Sequence, residues 1–472
     1  MELPGHTTPL GPRTAITGAT GRLRARDFLG HPKGLTFLFA TEMWERFSYY
    51  SMYNLLVLYM VLFLFHPGHV ENVIGYGAVK ASLESVFGPL DVQPLASQIF
   101  GFHTALVYLT PLFGGLLADR VLGQRRTVVI GALLMAIGHF MMAFEQLFFI
   151  ALLMLIVGNG AFKPNISTQV GGLYAAGDPR RDRAYTIFYV GINLGAFFAP
   201  LVAGTLGLGF GWHYGFGAAG VGMLIGLAIY LYGSRTLPPD EMHKPAAAAR
   251  EREPLTRDER RGVIALVMLT TVVTFFWAAY DQQGNTIMLW ANDFTDRSID
   301  LIVWRGEIPT TWFQALNPFL IFAFTPLLIR LWAWQAGRRT EPSTVAKMAR
   351  GYAYLTIAYL IMAAAAWVCG PTGKVSTLWL VGYFVALTIG ELHLAPVGLA
   401  LVSKIAPARI ISLMMGIWLA ASFPGDILAG WLGSFWTSMD KTHFFLMIAM
   451  IPALAGAVTW AFERPLKPML QG

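Results

Sequence analysis

Charge is scarce in this chain. Asp, Glu, Lys and Arg together make up 13% of its 472 residues, against the ~25% usual in a soluble domain. So little charge beside 55% hydrophobic residues excludes an ordinary water-exposed surface and points to a membrane protein. Cysteine is nearly absent. Cys369 is the single one, which excludes an intrachain disulfide and a cysteine-rich metal site. No HExxH pattern and no nucleophile–base arrangement is present, so neither a metal nor a catalytic residue is expected and the chain does not read as an enzyme. Residues 1–33 are polar, basic and punctuated by Gly and Pro. With no apolar core ahead of the first long apolar run, no signal peptide is expected.

Long apolar stretches are what the chain has in abundance. Runs of roughly 20 residues can cross a bilayer, and twelve are predicted: about 35–65, 95–118, 127–144, 147–174, 183–209, 212–234, 262–291, 311–334, 348–369, 376–402, 410–437 and 442–463. The net charge of +7 raises the question of a nucleic-acid partner. Its distribution excludes one. With residues 1–33 placed inside, 27 of the 34 Lys and Arg fall on that side, and the opposite loops hold only Lys80, Arg297, Arg305, Lys374 and Lys441. This is the positive-inside pattern. It predicts a multi-pass protein of the plasma membrane (the inner membrane in a bacterium) with both termini cytoplasmic and the lipid bilayer as its surroundings.

The longest charged linker, 235–261, follows the sixth span and contains Pro238-Pro239, Ala246 to Ala249 and Arg250-Glu251-Arg252. It divides the chain into a cytoplasmic segment 1–33, a six-helix bundle 34–234, the linker, a second bundle 262–463 and a tail 464–472. Two six-helix halves around a midplane site is the major facilitator layout. The fold class expected is therefore an all-α membrane protein with twelve transmembrane helices. Gly114 to Arg126, between spans two and three, resembles that superfamily's loop motif. Its glycines allow close helix approach, Asp119 can accept hydrogen bonds from a neighbouring helix end, and its arginines can meet anionic lipid. The motif reads as gating hardware.

Inside the spans stand charges that demand a reason, because each costs at least ~2.5–3.5 kcal/mol at the bilayer centre. The first span reads Glu42-Met43-Trp44-Glu45-Arg46-Phe47-Ser48-Tyr49-Tyr50. At about 100° per residue, Glu42, Glu45, Arg46, Tyr49, Tyr50 and Tyr53 share one side of a helix. That stripe is either an ion pair buried between helices or a wall of a substrate and proton pathway. Span four holds Lys163 beside Pro164-Asn165, and span ten holds Glu391 in Gly390-Glu391-Leu392-His393. A buried lysine needs a counter-ion or it loses its proton, so Lys163 and Glu391 are expected to bridge. Span seven carries Asp281 in Phe276 to Asn285; spans five and eight carry Asn193, Gln314 and Asn317. Each amide alone could join two helices; together with the charges they predict a polar cavity.

These motifs resemble the proton-dependent oligopeptide transporter family. The first-helix signature ExxERFxYY is met by Glu42, Glu45, Arg46, Phe47, Tyr49 and Tyr50. KPN is met by Lys163, Pro164 and Asn165, and FYxxINxG by Phe188, Tyr189, Ile192, Asn193 and Gly195. The FW–acid–Q–G pattern, the NP and the GE…PxGL of the later helices are present too, so the resemblance spans roughly 34–437. It implies proton-coupled symport of di- and tripeptides into the cell by alternating access, with protons as the coupling ion, no other cofactor, and a functional monomer. It implies that Arg46 and Lys163 hold the peptide carboxylate. Glu391, Asn193 and Asn317 are implied at the amino end, with Tyr49, Tyr50 and Tyr108 lining the pocket. Trp312 and Trp418 could wall a side-chain pocket or belong to the core. Proton coupling is implied at Glu42 and Glu45, with Asp281 and Glu391 as further candidates. Gating falls to Tyr53, Asp119, Lys163, Asp281 and Glu391. The same scaffold carrying nitrate, another small anion or a drug-like molecule is the alternative; the Lys163/Glu391 pair argues for a substrate with both charges.

The sequence departs from the family at three places. The positions that commonly carry Gly and Arg after the paired tyrosines are Ser51 and Tyr53. Asp281 therefore lacks its usual cation, and a Tyr53–Asp281 hydrogen bond is expected in its place. The linker is too short for the two extra helices of many bacterial members. Asp426, after Pro424-Gly425, is an additional acid whose role is open between a helix-kink hydrogen bond and a proton site. His103 matches a histidine of some members; a structural role fits it equally well.

Overall fold

The computed structural model describes residues 30–175, 178–240, 255–300, 305–407 and 410–463. Most of the N-terminal segment, the middle of the linker with Ala246 to Ala249 and Arg250 to Arg252, and the tail 464–472 lie outside the described residues. Among the described residues the fold is almost wholly helical, and eleven helices are long and apolar enough to cross a membrane.

Helix α1 (Lys33–Tyr59) runs on through a π-helical turn, Met60–Leu64, so the first span has 32 residues. After a short helix α2 (Tyr76–Phe87), the second span is α3 (Val92–Leu109) continued by α4 (Pro111–Leu117). The expected third span is α5 (Gln124–Met141). It begins with Gln124-Arg125-Arg126, which dilutes its apolarity and leaves it outside the eleven; it packs between α6 (Phe148–Gly172) and α8 (Trp212–Gly233). Helix α7 (Arg180–Phe210) completes the first six.

The second half starts at a capping box: the Thr256 hydroxyl accepts from the Glu259 N–H and the Glu259 carboxylate accepts from the Thr256 N–H. This cap starts α9 (Arg257–Tyr280) five residues earlier than the apolar run begins, because charged residues can fill the first turns of a helix outside the apolar layer. A 3₁₀ turn, Asp281–Gly284, interrupts the seventh span before α10 (Thr286–Asp293). There follow α11 (Leu316–Gly337), α12 (Thr344–Cys369), α13 (Leu378–Ile405), α14 (Ile411–Ala420) with α15 (Ser422–Gly433), and α16 (Lys441–Ala461). The only strands among the described residues are four short ones. β1 (Thr295–Asp296) pairs in parallel with β4 (Val375–Ser376), and β2 (Ser298–Asp300) is antiparallel to β3 (Arg305–Glu307). Neither α2 nor these strands is legible in the apolar runs.

Helices of this kind gain nothing from hydrophobicity against lipid tails, so close contact decides which of them pair. Glycine supplies it. A Cβ on Gly195 of α7 would lie 2.2 Å from the Met43 carbonyl oxygen of α1. One on Gly101 of α3 would lie 2.6 Å from the Asp426 carbonyl oxygen of α15. Gly195→Ala is expected to force α1 from α7 and to cost about 1–3 kcal/mol, the usual penalty of overpacking. Gly115→Ala has its nearest neighbour at 4.0 Å and is expected to be silent. Thermal unfolding of the two variants in detergent checks this; equal melting temperatures would contradict it.

The end of the bundle at which α1 begins is called the near end, and the other the far end. At the far end the two halves are tied together. The Gln93 amide donates to the Gly433 carbonyl (3.0 Å), Ser97 donates to Asn285 (2.8 Å), Thr311 to the Pro200 carbonyl (3.1 Å) and Trp312 Nε1 to Thr205 (2.7 Å). These bonds form a seam that roofs the space between the halves.

Candidate functional site

Below that seam lies a cavity of about 160 Å³ to which both halves contribute. Its first-half wall is aromatic and amide: Tyr49, Tyr50, Tyr53 and Asn54 from α1, Tyr108 from α3, and Tyr189 and Asn193 from α7. The facing wall is Trp277, Tyr280, Asp281 and Gln283, with Gln314, Asn317 and, from α13, Glu391. Tyr53 follows Tyr50 by three residues and Tyr49 by four, so the three share one side of α1. They pack ring to ring, with centroids 5.3 Å apart for Tyr49–Tyr50 and 6.0 Å for the other two pairs. Helical spacing thus turns the sequence stripe into a continuous wall.

Glu391 is the acid at the centre of the facing wall. Its Oε2 accepts from the Tyr280 hydroxyl (2.9 Å) and from the Asn317 amide (2.8 Å), and Asn317 also donates to Thr388 (3.1 Å). The expected Lys163–Glu391 bridge is absent. Lys163 instead holds its ammonium 4.5 Å from the centre of the Tyr108 ring, and among the described residues it has no carboxylate partner. A ring face attracts a cation without taking a proton from it, which answers the need for a counter-ion differently from the bridge. Tyr280, which lies within the stretch Phe276 to Asn285, is a partner of Glu391 that sequence reasoning missed. Its position one residue before Asp281 was the available signal.

The α1 charges form a compact cluster behind the tyrosines. Arg46 is gripped by Glu45, with Nε to Oε2 at 2.5 Å and Nη2 to Oε1 at 2.6 Å, and Glu42 lies 3.4 Å from Nε. Asn159 adds a bond to Glu45 at 3.3 Å. The guanidinium lies over Tyr49, 5.0 Å from the ring centre. All three charged groups are buried, and Glu42 Oε2 has no partner. Neither Arg46 nor Lys163 lines the cavity itself; each is separated from it by a tyrosine ring.

Other expected site residues fall elsewhere. Trp418 is buried against α13, where a Cβ on Gly398 would come within 2.0 Å of its ring. It is core, as the missing side chain of Gly398 dictates. Trp312 belongs to the far-end seam. Asp119 is exposed in the turn Ala118–Leu122 and accepts no hydrogen bond among the described residues. The acid that braces this loop is Asp240, which accepts from the Arg125 N–H at 2.9 Å, while the Arg125 guanidinium donates to the Leu237 carbonyl. His393 bonds the Ile389 carbonyl at 2.8 Å and packs on Trp332 and Tyr354, away from Glu391. His103 is buried with neither ring nitrogen partnered. Tyr53 donates to Asp281 at 3.3 Å, the bond anticipated from the replacement of a cation by tyrosine.

A cavity between two six-helix halves, walled by tyrosines and with two acids and two screened cations around it, suits a small dipolar solute. Comparison with known proteins agrees. The family model of the POT family matches residues 125–250 and 243–448. A di-/tripeptide transporter of Lactococcus lactis subsp. cremoris is 31% identical over 505 residues, covering 94% of this chain and 98% of the relative. The peptide transporter YePEPT of Yersinia enterocolitica is 34% identical over 476 residues, covering 86% and 88%. Among solved structures, the peptide transporter POT in complex with sulfate superposes with a TM-score of 0.81 at 30% identity, covering 95% of this chain and 97% of that one. A POT family transporter in complex with 5-aminolevulinic acid gives 0.79 at 25% identity, covering 93% and 98%. The sequence motifs, the two-half helical fold and these matches lead to one conclusion: the chain belongs to the POT family, a family of membrane transporters.

Proposed function

We propose that this protein carries di- and tripeptides into the cell together with protons, by alternating access of one cavity to the two sides of the membrane. The observation that carries the reading is Glu391, an acid presented to the cavity by Tyr280 and Asn317. A peptide's ammonium end would take a place beside that carboxylate. Its carboxylate end would draw on Lys163 and Arg46, each of which then exchanges a ring face for an anion. Asn193 lines the cavity, its amide donating to the Tyr189 carbonyl at 3.0 Å, and its carbonyl oxygen is the group it would offer the peptide's amine. The variable side chains of peptides meet tyrosine rings, which tolerate many shapes. The names of the relatives support the substrate class.

The same reading makes Glu42, Glu45, Asp281 and Glu391 the proton-coupling acids. It makes Tyr53, Asp281, Lys163 and Glu391 the groups that change partners as the ends open and close. No cofactor besides the proton is required. One chain completes the cavity, which supports the monomer as the working unit. The excess of Lys and Arg in the near-end loops supports a cytoplasmic near end and a far-end seam turned outward. A membrane potential then adds about 2.3 kcal/mol per charge moved per 100 mV, roughly fifty-fold accumulation at ~1.4 kcal/mol per decade.

Uptake of labelled dialanine into liposomes holding the purified protein tests this. With an inward proton gradient, concentrative uptake that collapses on adding a protonophore is the expected result. Folded, inserted protein that takes up nitrate and no peptide would replace the substrate class.

A further inference from the structure

The outer face of the second half carries a trough that transport does not use. It runs between α12 and α16, has a volume of about 730 Å³, and has Ala353, Ile357 and Ala457 exposed along its rim. Local packing explains it. At Gly456 the two helices touch, so that a Cβ there would lie 2.8 Å from Tyr352 Cβ. Outside this contact α12 presents Ala346, Ala349 and Ala353, and α16 presents Ala453, Gly456 and Ala457. Small side chains on both banks of a close helix contact leave a channel between them. From Ala346 to Ile357 the trough follows α12 for about 16 Å at ~1.5 Å per residue. One leaflet of a ~30 Å hydrocarbon core is about 15 Å deep, so the trough matches a single lipid chain in length.

Lipid tails cover any apolar face of a membrane protein, so the trough alone says little. Its mouth says more. As the ninth span, α12 begins at the near end, and α16, the twelfth, ends there. The trough therefore opens at the near-end surface, where Arg350, Trp460 and Glu463 line it. Arg350 is exposed and has no carboxylate partner among the described residues. Its long side chain can carry the charge from the helix wall to the level of the head groups. Glu463 accepts from the Ser343 hydroxyl with Oε1 at 2.9 Å, and its other oxygen has no partner among the described residues. Trp460 is exposed beside them, the place an indole takes at a membrane–water interface. Two opposite charges thus share one mouth and do not pair with each other.

We propose that the trough holds one phospholipid whose head carries a primary amine, as that of phosphatidylethanolamine does. One acyl chain lies along the alanines, Arg350 holds the phosphate and Glu463 holds the ammonium. The guanidinium matches phosphate oxygens with paired N–H donors, and the free carboxylate oxygen accepts from the ammonium. A choline head has no N–H to give Glu463, and a glycerol head has no positive charge. Of these three heads, only ethanolamine satisfies both ends of the mouth. A second copy of this chain fits the trough less well. A twofold contact sets the same patch against itself, and two concave faces leave the space between them unfilled. The site stands apart from the transport cavity and does not depend on what that cavity carries.

Native mass spectrometry of the full-length protein, incubated in detergent with one lipid at a time, reads the occupancy. Wild type is expected to retain one phosphatidylethanolamine. It should retain phosphatidylcholine or phosphatidylglycerol about fivefold less, which is about 1 kcal/mol at ~1.4 kcal/mol per decade and the order of an ion pair at a wetted surface. Equal retention of the three lipids by wild type leaves an ordinary lipid coat and overturns the proposal; this comparison needs no variant. Glu463→Gln is expected to retain the three lipids alike, and Arg350→Gln to retain each of them less. Ala353→Leu, which fills the trough and leaves both charges in place, is expected to lose the bound phosphatidylethanolamine. Retention by all three variants at the wild-type level overturns the proposal. So does a protein dimer that takes the place of the lipid adduct and is dispersed by Ala353→Leu, which would give the trough to a second copy of the chain. Failure of dialanine uptake would count against the transport reading alone.

Discussion

Glu42→Gln is expected to abolish proton-driven accumulation of peptide while exchange between equilibrated pools survives. Glu42 is buried, touches Arg46 with one oxygen at 3.4 Å, and leaves Oε2 without any partner. A carboxylate with an idle oxygen beside a cation already satisfied by Glu45 can change its proton without breaking the fold. Glutamine has the same shape and cannot. The neighbouring Glu45→Gln separates coupling from structure. Glu45 supplies both short bonds to the Arg46 guanidinium, and stripping one member from a buried ion pair costs about 3–5 kcal/mol. Glu45→Gln is therefore expected to lose folded protein, and Glu42→Gln to lose only the gradient's work. Liposome uptake with and without a pH gradient, beside a melting curve, gives both readings. Accumulation by Glu42→Gln at the wild-type level would remove Glu42 from the proton path.

The second large effect is expected at Glu391. Glu391→Gln keeps a hydrogen-bonding group for Tyr280 and Asn317 and removes only the charge offered to the peptide's amino end. A charge-assisted bond exchanged for a neutral one, in a site shielded from water, is expected to raise the apparent KM for dialanine about 100-fold, near 2.8 kcal/mol at ~1.4 kcal/mol per decade. An acetyl-capped dipeptide has no cationic end, so wild type and variant should handle it alike. If the variant's KM for dialanine equals that of wild type, Glu391 does not hold the amine.

Much of the site could be read from sequence because charge in a membrane span is so costly. Glu42, Glu45, Arg46, Lys163, Asp281 and Glu391 announce themselves by being where they are. Their pairing could not be read. Lys163 and Glu391 looked like partners because each lacked one, but the sequence does not say that Tyr108 would offer its ring face to one, or that Tyr280 and Asn317 would reach the other. Tyrosine, asparagine and glutamine are unremarkable in a span until the fold turns them inward, so Tyr280, Gln283 and Asn54 carried little warning. Trp418 stood open between pocket wall and core for the opposite reason. A large aromatic looks like a pocket wall until the glycine opposite it, Gly398, is seen to have made room for it. Span limits followed the apolar runs closely where the helix ended in polar loop. They were off at α9, where a cap recruits charged residues, and α5 was legible as a span although its opening arginines blur it.

The far-end seam is joined through uncharged groups: an amide to a carbonyl at Gln93–Gly433, a hydroxyl to an amide at Ser97–Asn285, an indole to a hydroxyl at Trp312–Thr205. Dissolved ions weaken attraction between net charges over a Debye length of about 8 Å at physiological ionic strength, and these dipolar contacts give them nothing to screen. The far end should therefore open and shut at the same rate in fresh water and in brine.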